Sequence, residues 1–180
     1  MLDSDESLVE LVITAPEPYG LALAYQMRCR TTLGVLTLLM AQAQRYVVIA
    51  APFLQAGHGL SEGPLADALR AALRRGVNIA IVSTRQGLQT LNIADLRKDV
   101  RGRLRLFQHQ ANKEDDQNLG SHAKFCLVDG EHAYVGSANL TGPGLSKHFE
   151  MGLLVHGKVA RQIAEFWDYA VEIGLFVSDK

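Results

Sequence analysis

The chain has 180 residues, of which 48% are hydrophobic and 21% charged, so length and composition predict one folded domain with its own core. The formal net charge of −1 excludes the global positive field that is typical of many nucleic-acid-binding proteins. Two cysteines, Cys29 and Cys126, are too few for a disulfide framework or a thiolate metal site, which favours a reducing cytoplasm.

The sequence predicts no membrane segment. The first residues, MLDSDES, are acidic and lack the basic-then-apolar layout of a signal peptide. The longest apolar stretch, residues 33–41, is interrupted by Gln42, Gln44 and Arg45 and is far shorter than the roughly 20 residues that cross a bilayer. We therefore expect a cytoplasmic protein without stable membrane association.

Strands and helices alternate along the chain. We expect an N-terminal tail with a short strand over residues 1–20 and a single domain over residues 21–180. A helix over 65–74 has the clearest boundaries, because Pro64 opens it and Gly76 closes it. The other predicted strands cover residues 9–14, 46–51, 77–83, 103–107 and 150–156, and the other helices cover 31–44, 88–100 (weaker) and 159–173. This order predicts an α/β fold, with a mixed β-sheet flanked by helices on both faces.

The segment HAKFCLVDGEHAYVGSAN, residues 122–139, concentrates the polar groups that could carry chemistry. Residues 121–128 are typical of a strand, so His122 and Lys124 should point to the same face. Asp129 and Gly130 predict a tight hairpin turn, from which a second strand returns beside the first. The hairpin would bring an imidazole, an ammonium, a hydroxyl, a carboxamide and loop amides together, and such groups suit a phosphate that the imidazole attacks. The fixed residues are His122, Lys124, Asp129, Gly136, Ser137 and Asn139.

This spacing resembles the HxK(x)4D(x)6GSxN signature of the phospholipase D superfamily, the HKD phosphodiesterases, and every fixed position is filled. The resemblance covers roughly residues 30–173, and Glu150 stands where the family places an acidic residue that orients the histidine. It implies the phospholipase D-like fold. The chain also looks like the small single-motif bacterial branch, which contains dimeric nucleases. The segments LVITAP and ALRRGV resemble the phospholipase D-like component of the DISARM anti-phage system.

The resemblance also implies a mechanism. The family uses two motifs facing each other: one imidazole forms a phosphohistidine and the other protonates the leaving group. The chain carries one copy of the full signature, so the resemblance implies a homodimer with a composite active site. His122 would be the nucleophile in one subunit and the general acid/base in the other, and Lys124 and Asn139 would hold phosphate oxygens. Glu150 would orient the imidazole. No metal and no cofactor is implied.

Three features keep more than one interpretation. Ser137 either contacts the phosphate or only forms the turn. Asp129 is interpreted as structural, and Gly136 as supporting the loop. Alternating basic residues, Arg101, Arg103 and Arg105, form either a substrate-binding stripe that follows a phosphate backbone or the protective charge of an edge strand. The acidic residues 114–116 either guard the site entrance or are simply solvated.

The function most strongly indicated is a metal-independent phosphodiesterase that hydrolyses nucleic acid, with a role in phage defence and defence-system proteins as partners. The first alternative is a lipid phosphodiesterase or phosphatidyltransferase. The second is a dimerising binding module of a larger defence complex, in which catalysis is optional.

Overall fold

One mixed sheet organises the chain. The computed structural model describes residues 8–54, 59–109 and 122–178. Within these residues nine strands form one sheet in the order β2-β1-β8-β7-β6-β3-β4-β5-β9. The strands are β1 (Val9–Thr14), β2 (Arg30–Thr31), β3 (Tyr46–Ala50), β4 (Asn78–Val82), β5 (Leu104–His109), β6 (Phe125–Val128), β7 (His132–Gly136), β8 (Glu150–His156) and β9 (Phe176–Ser178). The helices are α1 (Tyr19–Gln26), α2 (Thr32–Gln42), α3 (Pro64–Arg75), α4 (Arg85–Gln89), α5 (Ile93–Leu96), α6 (Gly142–Ser146) and α7 (Lys158–Glu172).

The direction of the strands determines which residues share an edge of the sheet. Strands β3, β4 and β5 are parallel to one another, whereas β6 is antiparallel to β3 and leads into the antiparallel run β6, β7, β8 and β1. The N-terminal end of β6 therefore lies at the same edge as the C-terminal ends of β3, β4 and β5. The residues that follow those strands meet at this edge, which we call the catalytic edge because His122 and Lys124 immediately precede β6.

Helices cover both faces of the sheet, as predicted. Alternate strand residues pack in two buried clusters, one with α2 and α3 and the other with α7. Cys126 belongs to the first cluster, and burial raises the pKa of its thiol to about 12, so it is a core residue rather than a nucleophile. In the described part of the chain, no helix is both long enough and apolar enough to cross a membrane.

The helix boundaries follow the predicted signals where these are strong. Helix α3 begins at Pro64 and ends at Gly76, whose φ of 102° is a left-handed conformation that favours glycine. The prediction of one helix over residues 88–100 is wrong, because two short helices, α4 and α5, cover residues 85–89 and 93–96 instead. Thr84 and Asn92 each cap a new first turn, accepting hydrogen bonds from the N–H groups of Gly87 and Asp95. Elements α1, β2, α6 and β9 are short and were not predicted.

The strand expected from residue 121 is also shorter than predicted. Residue 121 lies outside the described residues, and β6 begins at Phe125, which pairs with Ala50, the last residue of β3. Beyond Ala50 the chain turns at Pro52, so residues 122–124 have no partner on the β3 side. His122 and Lys124 therefore lie on an extension of the strand rather than within it.

Candidate active site

The hairpin that carries the site is fixed to the sheet by Asp129. Asp129 and Gly130 both have positive φ values, 54° and 77°, as the predicted tight turn requires. The Asp129 carboxylate accepts hydrogen bonds from the backbone N–H groups of Gln44, Arg45 and Tyr46 at 2.8, 2.8 and 2.9 Å. The three donors lie where the chain enters β3. Asp129 thus joins the turn to a neighbouring strand that is more than eighty residues away in sequence.

We expect Asp129→Asn to lower the free energy of unfolding by about 2–4 kcal/mol, because charge-assisted hydrogen bonds to three amides are weakened. Asparagine tolerates positive φ, so the turn itself is retained. Urea unfolding measures the change. The matched control is Glu131→Gln, which removes a half-exposed ion pair with Arg161 and should cost less than about 1 kcal/mol. If the two variants lose equal free energy of unfolding, the role of Asp129 in joining the turn to β3 is contradicted.

His122 and Lys124 lie side by side at the catalytic edge. The Lys124 Nζ atom is 3.2 Å from His122 Nδ1, 3.5 Å from Nε2 and 3.2 Å from the His122 carbonyl oxygen. The His122 side chain is exposed, and the Phe53 ring stands edge-on to it with centroids 6.5 Å apart. Partial burial lowers the pKa of Lys124, while the nearby Glu150 carboxylate opposes that shift. An exposed imidazole and an amine are therefore held side by side at this edge.

Glu150 contacts a different partner from the one expected. Its Oε2 accepts a hydrogen bond from Ser137 Oγ at 2.5 Å, and its Oε1 is 3.8 Å from His148 Nδ1. Ser137 Oγ also accepts from the Met151 N–H at 3.1 Å. The described residues include no direct hydrogen bond from Glu150 to His122. Within one copy of the chain, the Glu150 carboxylate contacts Ser137 and influences Lys124, so its role in orienting an imidazole stays a prediction.

Gly136 has a steric role. A Cβ atom at this position would lie 2.3 Å from the Tyr134 hydroxyl oxygen, so only glycine leaves room for the buried phenol. The N–H groups of Gly136 and Ser137 donate to the carbonyls of Lys124 and Met151. These two loop amides hold β6, β7 and β8 together and, contrary to the sequence-based expectation, are not free for a phosphate.

Asn139 brings an unused polar atom to the same region. Its Oδ1 is buried and has no hydrogen-bond partner among the described residues. An amide oxygen without a partner is costly to bury, so a substrate group or a water that donates a hydrogen bond there would be favoured.

An apolar surface adjoins the site. A cleft of about 350 Å³ is lined by His122, Lys124, Val135 and Phe166, among others. The register places Leu11, Leu153 and Val135 in one row across β1, β8 and β7. These side chains are 36%, 43% and 41% exposed, and Phe166 is 52% exposed. We call the surface formed by Leu11, Val135, Met151, Leu153 and Phe166 the apolar sheet face.

The structure separates the arginine stripe from His122. Arg103 lies beside Asn78, the first residue of β4, and its backbone N–H donates a hydrogen bond to Asn78 Oδ1. It therefore lies at the edge of the sheet opposite the catalytic edge. Arg105 is the second residue of β5, and Arg101 precedes the strand. The stripe is thus not brought to the imidazole. Strand β9 pairs only with residues 107–109, so the half of β5 that contains Arg105 has no outer strand partner among the described residues, as an edge would.

One sequence-based expectation concerns residues outside the described part of the chain, and three residues near the site were not expected. The acidic residues 114–116 lie outside the described residues. Phe53, Val135 and Phe166 line or contact the site but were not predicted from sequence. The signal that could have indicated Phe53 is its position directly after Pro52, where strand β3 ends and the chain turns at the catalytic edge.

Comparisons with known proteins agree on one family. The family model described as "Cardiolipin synthase, PLD-like domain" matches residues 36–170. Over 130 residues the chain is 28% identical to cardiolipin synthase B of Salmonella typhi, a match that covers 69% of this chain and 28% of that protein. Over 157 residues it is 26% identical to the DISARM protein DrmC of Bacillus paralicheniformis, covering 85% of this chain and 59% of DrmC.

The fold is shared with solved structures. NucT from Helicobacter pylori aligns with a TM-score of 0.68 at 18% identity, covering 97% of this chain and 100% of that one. Nuc from Salmonella typhimurium, a phospholipase D family member, aligns with a TM-score of 0.63 at 19% identity, covering 97% and 99%. Phosphatidylserine synthase of Haemophilus influenzae gives a TM-score of 0.64 at 14% identity, covering 97% of this chain and 40% of that one.

The fold and the family match place the chain in a superfamily whose members act on phosphodiester bonds, as hydrolases or transferases. The chain belongs to the phospholipase D superfamily, as a PLD-like domain. It spans about 28% of the length of the cardiolipin synthases that it matches and 59% of the length of DrmC.

Proposed function

We propose that the chain is a metal-independent, homodimeric phosphodiesterase that hydrolyses nucleic acid. The observation that carries the proposal is the exposed His122 imidazole with the Lys124 amine 3.2 Å away, beside an open cleft. An imidazole supplies the nucleophile, and the adjacent ammonium stabilises charge that develops on phosphate oxygens.

The reaction runs in two displacements. One His122 attacks phosphorus through a ring nitrogen, a P–N bond forms and the P–O bond to the leaving group breaks. The imidazolium of the second His122 donates a proton to the departing oxygen. That second imidazole, now neutral, takes a proton from water, the hydroxide attacks phosphorus and the P–N bond breaks. Lys124 of each subunit stabilises the charge on the phosphate, so atoms and protons balance without a metal.

A second copy of the chain completes the site. One imidazole cannot stand on both sides of the phosphorus in an in-line displacement, and the full HxK(x)4D(x)6GSxN signature occurs once in the sequence. The apolar sheet face is continuous with the cleft through Val135 and Phe166, which belong to both. Burying this face between two copies would bring the two clefts together. The occupant that fits it is therefore a second copy of the same chain, related by a twofold axis.

Nucleic acid is proposed as substrate because the chain covers nearly the whole length of NucT and Nuc. It covers only 40% of phosphatidylserine synthase and 28% of cardiolipin synthase B. The similarity to the DISARM protein DrmC supports a role in phage defence. The similarity to cardiolipin synthase B supports a second candidate function, that of a lipid phosphodiesterase.

The experiment that tests the proposal is a digestion panel in excess EDTA. Plasmid, single-stranded DNA, RNA, phosphatidylglycerol vesicles and a chromogenic phosphodiester are each incubated with the purified chain. We expect at least one nucleic acid and the chromogenic diester to be cleaved with EDTA present. The rate should fall at low and at high pH, because one imidazole must be neutral and the other protonated.

Cleavage that stops when EDTA is added would contradict the metal-independent mechanism. Turnover of the lipid alone would replace the nuclease assignment with the lipid phosphodiesterase. If nothing is cleaved although the protein is folded and dimeric, the binding-module interpretation replaces the enzyme.

A further inference from the structure

Helix α7 separates two clefts on one face of the sheet. It begins beside the β6–β7 hairpin, where the Gly157 N–H donates to the Glu131 carbonyl, and it reaches β5 and β9, where Trp167 packs on Phe107 and Phe176. The active-site cleft lies on one side of the helix. On the other side, a cleft of about 250 Å³ lies over the first halves of β3, β4 and β5. We call it the arginine cleft, because Arg103 and Arg105 line it.

The two guanidinium groups of the arginine cleft are available to an anion. Arg105 lies over the buried Phe107 ring, 4.8 Å from its centroid, which holds one guanidinium face and leaves the N–H edges free. Neither Arg103 nor Arg105 forms an ion pair with a described carboxylate, although Asp168 lines the same cleft. Two unpaired arginines on one wall suit a phosphate group, which binds guanidinium through parallel hydrogen bonds.

The remainder of the arginine cleft is largely apolar. Val48 and Ala80 form its floor because register pairs them on adjacent strands, and Tyr46 and Trp167 border it. Burial raises the pKa of Tyr46 and the Asp168 carboxylate raises it further, so the phenol remains a hydrogen-bond donor. Asn78 and Asp168 add polar groups at the rim. A planar ring could lie on this floor with its polar edge toward these groups.

We propose that the arginine cleft binds a nucleotide, with its phosphate on Arg103 and Arg105 and its base over Val48 and Ala80. Strand geometry separates the backbone of Arg103 from that of His122 by roughly 25 Å, since three strand spacings and seven residues along the strands lie between them. The nucleotide therefore binds apart from the reacting phosphate. The proposal does not require that the chain be a nuclease. Free nucleotides and a nucleic-acid strand present the same chemistry.

The test uses the fluorescence of Trp167, the single tryptophan of the chain, which lines the cleft. The full chain carrying His122→Ala, which prevents cleavage, is titrated with thymidine monophosphate, an oligothymidine of about eight residues, inorganic phosphate and polyglutamate. We expect a saturable change in emission with the nucleotide or the oligonucleotide. Stronger binding of the oligonucleotide identifies a strand as the source, and equal binding identifies the free nucleotide.

The variant pair R103A/R105A should weaken binding by at least about tenfold, because charged hydrogen bonds are lost. Ala80→Leu keeps both charges, fills the floor and should weaken binding to the same degree. The matched control is Arg74→Ala, an exposed arginine on α3 at the opposite face, which should leave affinity unchanged within about twofold. Thermal unfolding establishes that each variant is folded.

Three results would overturn the proposal. The first is the absence of a saturable change with either nucleotide form. The second is equal weakening by Arg74→Ala. The third is displacement of the nucleotide by phosphate or polyglutamate at equal concentration, which would mean that the base is not bound. The binding test measures affinity in a chain that lacks His122, whereas the digestion panel measures cleavage by the chain with His122 intact. A failure of the binding test and a failure of the digestion panel are therefore separate results.

Discussion

Replacement of His122 by alanine should lower the rate of phosphodiester cleavage by on the order of a thousandfold or more, because the covalent step loses its nucleophile. The side chain is exposed and lies outside any strand, so the variant should unfold at an unchanged temperature. Initial rates with the chromogenic diester in EDTA measure the loss. Cleavage that persists in the purified variant would identify a contaminant or another nucleophile.

A mixture of subunits tests whether both imidazoles serve one phosphorus. Differently tagged His122→Ala and unmodified chains are co-expressed in equal amounts and purified together. If each dimer needs two copies of His122, only about a quarter of randomly paired dimers remain active. Total activity would then fall to about a quarter, whereas independent sites would retain about half of the total activity. The matched comparison is Arg74→Ala mixed with the unmodified chain, which should retain full activity.

Leu153→Arg should convert the dimer to monomers and abolish cleavage, with a loss on the order of a hundredfold or more at micromolar protein. Leu153 is 43% exposed at the centre of the apolar sheet face, so the isolated chain tolerates the substitution. In a dimer, the arginine would be buried without a partner, which costs several kcal/mol. Sedimentation velocity measures the mass, and the chromogenic diester measures the rate.

Leu38→Arg is the control for this prediction. Leu38 is 36% exposed on α2, which covers the opposite face of the sheet, so a charge there should alter neither mass nor rate. A Leu153→Arg protein that remains dimeric would place the subunit contact elsewhere. A monomeric variant with full activity would contradict the composite site.

Much of the site could be predicted from sequence because its geometry is local. His122 and Lys124 are two residues apart, so their proximity depends on extended backbone alone. The Asp129–Gly130 turn depends on residues that tolerate positive φ, and the boundaries of α3 depend on Pro64 and Gly76. These features need no knowledge of distant residues.

The partners of Glu150 could not be predicted in this way. Its placement beside Ser137 depends on the register between β7 and β8, since a shift of one residue would direct the side chain to the other face. The edge-on contact of Phe53 with His122 likewise joins residues from separate strands. Contacts of this kind depend on packing between elements, which hydrophobic periodicity does not specify.

The sequence by itself determined the family, the proximity of His122 and Lys124 and the alternation of strands and helices, because each is encoded within a few residues of chain. Only the tertiary structure decided that Arg103 lies at the far edge of the sheet from His122, and that Val135, Leu153 and Phe166 form an exposed apolar face beside the site. The physical reason is that strand order, register and the path of α7 are set by burial of the whole core. Local patterns constrain which face a side chain occupies, but not which distant residues share it.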